Sequence, residues 1–172
     1  MRPEMEKKRK IPLKKYLLCA ADAVWLGFIF FQSLRSAAVS SVSSGRLTRL
    51  LQWLLHTDAP VETLEHFVRK LAHFAEFFIL GALVLGTLAA FGAVVCGDFW
   101  QRLFAPAALT GLLTALCDET LQLLSPGRSA QISDVWLDWA GYLCGLILCR
   151  ILLKTVVKSA KKRYHYNEYD PE

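Results

Sequence analysis

The sequence DETLQLLSPGRSAQISDVWLD, residues 118–138, decides how this chain folds. It places several ionisable side chains between two long apolar runs, and these are Asp118, Glu119, Arg128, Asp134 and Asp138. A charged side chain within or beside a membrane span is costly, so it usually faces protein, water or a ligand rather than lipid. The stretch therefore predicts a polar site enclosed by apolar helices.

The composition indicates an integral membrane protein. Of the 172 residues, 54% are hydrophobic and only 20% are charged, whereas soluble domains are about 45–50% apolar. The apolar residues also come in long blocks rather than in a short amphipathic period. The five cysteines show no spacing typical of a disulfide framework or a zinc site, so we interpret them as small apolar residues. Nothing in the composition suggests a nucleic-acid partner.

Four apolar runs of about 20 residues predict membrane spans, because that length crosses the hydrocarbon core of a bilayer. They cover residues 16–34, 72–96, 103–124 and 135–157. Between the first two, residues 46–55 space their apolar side chains at helical intervals but are too short to span. The predicted fold is all-α: a polytopic membrane protein with four transmembrane helices and a short interfacial amphipathic helix between helices 1 and 2.

The lysines and arginines predict the orientation. Seven lie in residues 1–15, one is Arg102 and six lie in residues 150–163, and in a four-span chain these fourteen of the twenty face one side. The positive-inside rule makes that side cytoplasmic. We therefore expect a plasma-membrane protein with a basic cytoplasmic N-terminal segment (1–15), a transmembrane domain (16–157) and a polar cytoplasmic tail (158–172). Asp22, near the start of the first span, is expected to pair with the nearby lysines.

A second polar stretch, RKLAHFAE at residues 69–76, opens the second predicted span. Arg69, His73 and Glu76 are four and three residues apart, so they share one helix face. In the predicted topology the second span begins at the outer surface, so this face lies near that surface. The third span begins inside, and roughly 22 Å of helix brings its acidic residues to the same depth. Gly141 and Gly145 permit close helix packing, which would draw the polar face inward. The ionisable groups are therefore expected to meet in one pocket near the outer surface.

The turn sequence Ser125-Pro126-Gly127 precedes Arg128, and a helix begins soon after. A guanidinium near a helix N-terminus suits phosphate, pyrophosphate or a peptide carboxylate. The candidate anion- or ligand-binding residues are Arg69, Lys70, Gln122, Arg128, Ser133, Asp134 and Asp138. The alternative is that Arg128 and the acids only neutralise one another to close the helix bundle.

The same region also contains candidates for catalysis or metal binding, namely His73, Glu76, Asp118 and Glu119. A histidine or carboxylate could act as a general base, with Arg128 or a metal stabilising developing charge. The His-x-x-Glu order is the reverse of the Glu-x-x-His order in di-metal helix bundles. Pairing of a neutral His73 with a carboxylate is therefore favoured over ligation, and no cofactor is predicted. A divalent metal stays an open alternative.

Four motifs in sequence order resemble the VanZ-like family, over about residues 25–153. They are Arg69-Lys70-x-x-His73-Phe74-x-Glu76-Phe77, Asp118-Glu119-x-x-Gln122, Pro126-Gly127-Arg128, and Ser133-Asp134-x-x-x-Asp138-x-x-Gly141-x-x-x-Gly145. The stretch Phe30-Phe31-Gln32-Ser33 also resembles the Phe-x-x-Ser ending of the family's first span. Position 138 departs from the pattern, where asparagine is usual, and Asp138 adds an acid.

The resemblance implies a small bacterial polytopic membrane protein whose founding relative is associated with resistance to teicoplanin, a glycopeptide that acts on the cell wall. It implies no catalytic residues. Three hypotheses follow. The first is a site that binds or modifies an anionic cell-envelope or lipid-linked head group, with a membrane lipid or lipid-linked cell-wall intermediate as partner. The second is an intramembrane hydrolase or transferase acting on lipid phosphates. The third is a structural membrane partner whose polar layer only fixes helix register.

Overall fold

The computed structural model describes residues 13–36, 39, 45, 48–50, 52–53, 56, 60–92 and 99–169, without the side chains of 157, 158 and 160–169. Its regular elements are helices: α1 (Leu13–Ser33), α2 (Val61–Ala90), a π-helical turn (Phe99–Leu103) that leads into α3 (Phe104–Gln122), and α4 (Ile132–Tyr169). The all-α prediction is therefore confirmed for the described residues.

Three helices are long and apolar enough to cross a membrane: α1, α2 and the Ile132–Val156 part of α4. Among the helices described, α3 is not in this set, because its last turns carry Asp118, Glu119 and Gln122. A polytopic membrane fold is thus supported, while the count of four spans stays a prediction. Half of the predicted interfacial helix, residues 46–55, lies outside the described residues, and this helix also stays a prediction.

Two helix ends differ from the prediction. Helix α2 ends at Ala90, before the predicted end at residue 96, because Gly92 adopts a φ of +81° and its N–H donates to the Ala89 carbonyl at 2.9 Å. Helix α4 continues past residue 157 to Tyr169, so the predicted polar tail begins as helix. No glycine or proline lies between Gly145 and Pro171, and lysine, arginine and alanine propagate a helix well.

Glycines bring the backbones of α2 and α4 into direct contact. A Cβ atom added at Gly141 would meet the Phe74 carbonyl at 2.5 Å. At Gly145 it would overlap the Phe78 carbonyl, and at Gly81 the Tyr142 carbonyl. This confirms that the Gly141 and Gly145 pair permits close packing. Because Phe74 follows His73 directly, the contact also fixes the position of His73 relative to α4.

Buried aromatic and aliphatic side chains join the four helices, and the core comprises Ile29, Phe77, Leu80, Leu85, Phe99, Ala107, Ala115, Val135, Tyr142 and Leu146. Two tryptophans add hydrogen bonds between helices. Trp25 Nε1 on α1 donates to the Glu76 carbonyl at 2.9 Å, and Trp139 Nε1 on α4 donates to the Ala108 carbonyl at 2.9 Å. Many large apolar side chains face outward, as a lipid environment favours.

Asp22 lies away from the polar stretches, on α1. Its Oδ2 accepts a hydrogen bond from Thr87 Oγ1 on α2 at 2.7 Å. The other oxygen is buried and has no hydrogen-bond partner in the described part of the chain. Within the described residues, Asp22 therefore does not pair with a lysine as expected. A hydroxyl group of the adjacent helix is its hydrogen-bond partner instead.

The contact between α2 and α4 predicts that Gly145→Ala destabilises the protein, whereas Gly86→Ala does not. The new methyl group at residue 145 would force the two backbones apart, at a cost of about 1–3 kcal/mol. A Cβ at residue 86 meets nothing within 4 Å, and alanine there gains up to ~1 kcal/mol of helix propensity. Unfolding in mixed detergent micelles, followed by circular dichroism, measures both free energies. Equal stability of the two variants would contradict the close packing.

Candidate functional site

Three helices bring a histidine and two aspartates together. His73 from α2, Asp118 from α3 and Asp138 from α4 each offer a nitrogen or oxygen atom, and these atoms all lie within 4.8 Å of one another. Asp118 is 0% exposed and Asp138 is 1% exposed. The two polar stretches of the sequence therefore meet at one buried place.

Asp118 is held by hydrogen bonds to both of its oxygens. Ser33 Oγ, at the end of α1, donates to Oδ1 at 2.6 Å, and Gln122 Nε2, one turn along α3, donates to Oδ2 at 3.3 Å. The Ser33 carbonyl in turn accepts a hydrogen bond from Ser125 Oγ at 2.8 Å. Helix α1 thereby becomes part of the site and fixes the orientation of Asp118.

Asp138 and His73 have unused hydrogen-bonding capacity. Both carboxylate oxygens of Asp138 are buried and have no hydrogen-bond partner among the residues described. His73 Nδ1 lies 3.8 Å from Glu76 Oε2, which is too far for a hydrogen bond. Both of those atoms are buried and unpartnered within the same residues. A buried polar group without a partner costs about 1–3 kcal/mol, so this place favours something that supplies positive charge or donors.

Arg128 is positioned by a tight turn at the rim of this cluster. Its backbone N–H donates to the Ser125 carbonyl at 3.2 Å, and Gly127 has a φ of +76°. With Pro126 as the second residue, this is the pattern of a type II turn, and it confirms the turn predicted from the sequence. The turn directs a half-buried guanidinium toward the helices.

The Arg128 guanidinium lies among charged groups of both signs. Its Nε and Nη1 atoms are buried and make no hydrogen bond in the described part of the chain. Burial lowers the pKa of Arg128, and the positive charge of Arg69 lowers that pKa further. The carboxylates of Asp118, Glu119 and Glu76 raise it. Since arginine stays charged in proteins, the site holds a partly desolvated cation with free donors.

Glu119 points toward the start of α4. Its Oε1 accepts a hydrogen bond from the backbone N–H of Gln131 at 2.5 Å, just before that helix begins. A carboxylate at a helix N-terminus is favourable. Beside it lies an open cavity of about 190 Å³, lined by Leu116, Glu119, Thr120, Leu123, Ala130, Gln131, Ile132 and Val135. Glu119 therefore belongs both to the polar site and to the wall of an apolar groove.

Lys70 and Asp134 form an ion pair at the exposed rim of the site, with Lys70 Nζ 2.6 Å from Asp134 Oδ1. Their side chains are 33% and 25% exposed, so the pair contributes at most about 1 kcal/mol. Ser133 is exposed, and its Oγ lies 3.2 Å from the same Asp134 oxygen. These three candidates lie beside the cluster, and two of them already neutralise each other.

The structure assembles most of the candidate residues but arranges them differently from the sequence-based grouping. Asp138, predicted to bind a ligand, lies with His73 and Asp118, whereas Glu119, predicted as a catalytic or metal candidate, accepts a hydrogen bond from the backbone of Gln131. Ser33 was not predicted at the site. The available signal was the Phe-x-x-Ser ending of the first span, which gives no indication of a contact 85 residues away.

Comparison with known proteins identifies the family of this fold and site. The sequence model described as VanZ/LLP1 matches residues 18–153, which run from the second turn of α1 to the middle of α4 and include every residue of the polar cluster. No curated protein and no solved structure matches the chain. The chain belongs to the VanZ/LLP1 family.

Proposed function

We propose that this site binds the anionic head group of a lipid or lipid-linked cell-envelope intermediate. The observation that carries the proposal is the Arg128 guanidinium, which is half-buried with two nitrogens that have no hydrogen-bond partner among the described residues. A phosphate or carboxylate offers the paired oxygens that such a planar fork binds best.

Structural neutralisation alone accounts poorly for Arg128. If its role were only to pair with acids, its N–H groups should be hydrogen-bonded to them. Asp118 instead accepts from Ser33 and Gln122, and Glu119 accepts from Gln131. The guanidinium attracts these acids electrostatically, yet its Nε and Nη1 donors are left for another partner. Arg69, close enough to affect Arg128, adds positive charge on the same side.

The groove beside Glu119 supports a ligand that carries a hydrocarbon chain. Leu116, Leu123, Ile132 and Val135 line it, and the first three of these are also exposed on the helix surfaces. One acyl or polyprenyl chain could lie there while its head group reaches Arg128. Burying apolar surface contributes about 25 cal/mol per Å², so the chain would add affinity that the head group alone lacks.

The prediction for head-group binding compares Arg128→Gln with the wild-type chain, using phosphatidic acid in detergent micelles as the probe. Loss of charged hydrogen bonds worth about 1.5–3 kcal/mol should weaken binding by roughly 10- to 150-fold. Arg128→Lys should fall in between, because lysine keeps the charge but not the bidentate geometry. Arg102→Gln, in the π-helical turn before α3, is the matched control. Thermophoresis measures all four dissociation constants.

Unchanged affinity of a folded Arg128→Gln variant would overturn head-group binding at this site. Two further ligands separate the parts of the proposal. Glycerol 3-phosphate, which lacks acyl chains, should bind more weakly than phosphatidic acid. Diacylglycerol, which lacks the phosphate, should show no dependence on residue 128.

A second candidate function is hydrolysis or transfer at a lipid phosphate. It is favoured by the position of His73, whose ring lies beside Asp118, Asp138 and Glu76 and whose Nδ1 has no hydrogen-bond partner in the described chain. An imidazole there could remove a proton from water or from an acceptor hydroxyl.

Catalysis predicts that purified protein releases phosphate from phosphatidic acid, and that His73→Gln lowers the rate by roughly 100-fold or more. The assay is run with and without Mg²⁺, Mn²⁺ or Zn²⁺, with Asp22→Asn as the control. No release by the wild-type chain under any of these conditions would exclude phosphatase activity on this lipid and leave head-group binding as the function.

We further propose four membrane spans in the plasma membrane, with both termini cytoplasmic and the Arg128 turn outside. The basic residues at 1–15 and in the C-terminal part of α4 support this orientation. A cell-envelope ligand would then meet the site at the outer leaflet, which is consistent with an effect on teicoplanin sensitivity.

The topology is tested with reporter fusions after residues 92, 128 and 172. Green fluorescent protein fluoresces only on the cytoplasmic side, so the fusions after residues 92 and 172 should fluoresce. Alkaline phosphatase is active only outside, so only the fusion after residue 128 should show its activity. Alkaline phosphatase activity of the fusion after residue 172 would place the C-terminus outside and show that α3 does not cross the membrane.

A further inference from the structure

We propose that His73, Asp118 and Asp138 form a binding site for one divalent cation. The three side chains come from α2, α3 and α4, and one nitrogen or oxygen atom from each lies within 4.8 Å of the others. Ligands about 2.1 Å from one ion lie roughly 3–4 Å apart. Small side-chain rotations would bring these atoms to that spacing.

Asp138 provides the observation that points to a ligand. It is 1% exposed, and neither carboxylate oxygen has a hydrogen-bond partner in the chain as described. It lies in the contact between α2 and α4, one helical turn before Gly141. A buried carboxylate without donors is strongly unfavourable, and a cation between Asp138, Asp118 and His73 would satisfy it.

Asp118 is already oriented for such a role. Ser33 and Gln122 each donate to one of its oxygens, and a carboxylate oxygen can accept a second contact. Hydrogen bonds of this kind fix the direction of metal-binding carboxylates and raise metal affinity. His73 contributes one ring nitrogen, and its Nδ1 has no hydrogen-bond partner within the described residues.

The charges around the three residues also favour a divalent ion. The Lys70 and Asp134 pair is neutral by itself. Among the described residues, the other charged groups that interact here are four carboxylates, Glu76, Asp118, Glu119 and Asp138, and two guanidiniums, Arg69 and Arg128. When all are ionised, two negative charges remain, which equals the charge of one divalent cation with the sign reversed.

One imidazole nitrogen and two carboxylates suit Zn²⁺ or Mn²⁺ better than Ca²⁺, which prefers an all-oxygen shell of six to eight ligands. Three protein ligands leave further coordination positions open to water or to an oxygen of a bound anion. Only that last role, contact with the anion, rests on the function proposed above. Binding of the cation itself is independent of any lipid.

The test uses the full chain in detergent, stripped with a chelator and then titrated with MnCl₂ or ZnCl₂ by calorimetry. We expect one ion per chain for the wild type. Asp138→Asn keeps the side-chain shape but removes the charge, so we expect at least tenfold weaker binding, and His73→Ala should behave in the same way. Asp22→Asn changes a partly buried acid outside the site and should bind like the wild type.

A spectroscopic measurement decides the case even where a variant fails to fold. Pulsed electron paramagnetic resonance of bound Mn²⁺ should show coupling to a histidine nitrogen in the wild-type protein. Failure of the wild-type chain to bind either metal at millimolar concentration, or binding without nitrogen coupling, would overturn the site. So would unchanged affinity in a folded Asp138→Asn variant. Because no lipid is present, these outcomes are separate from the effect of Arg128→Gln on phosphatidic acid.

Discussion

The backbone contact between α2 and α4 is the constraint on which the polar site depends. Gly81, Gly141 and Gly145 leave no room for a side chain between the helices. The Phe74 carbonyl lies against Gly141, which places His73 and Asp138 on facing surfaces at one depth. Between apolar helices in lipid, close packing replaces the hydrophobic driving force that water provides. The same glycines thus stabilise the helix pair and align its costly side chains.

Helix α1 and the Arg128 turn complete the enclosure through Ser33. Its hydroxyl donates to Asp118, while its carbonyl accepts from Ser125 in the turn. One residue at a helix end therefore couples the orientation of a buried carboxylate to the loop that carries the arginine. In a low-dielectric interior such linked hydrogen bonds reinforce one another.

The sequence was sufficient to predict the all-α fold, the turn before Arg128 and the meeting of the two polar stretches. These depend on local spacing and on the cost of charge in lipid. It was insufficient for Ser33, for the partner of Asp22 and for the place of Asp138 beside His73. Those contacts join residues far apart in the chain, and they depend on how each helix is rotated, which periodicity does not determine.

A cluster of buried polar groups without hydrogen-bond partners distinguishes a ligand site from a polar layer that is purely structural. A layer that only fixes helix register would pair its groups internally, as Lys70 does with Asp134. At the centre, Asp138, His73 Nδ1, Glu119 Oε2 and two Arg128 nitrogens lack partners among the described residues. Each such group costs about 1–3 kcal/mol. The acids favour a cation and the guanidinium favours an anion, so the two proposed ligands would contact different atoms of the site.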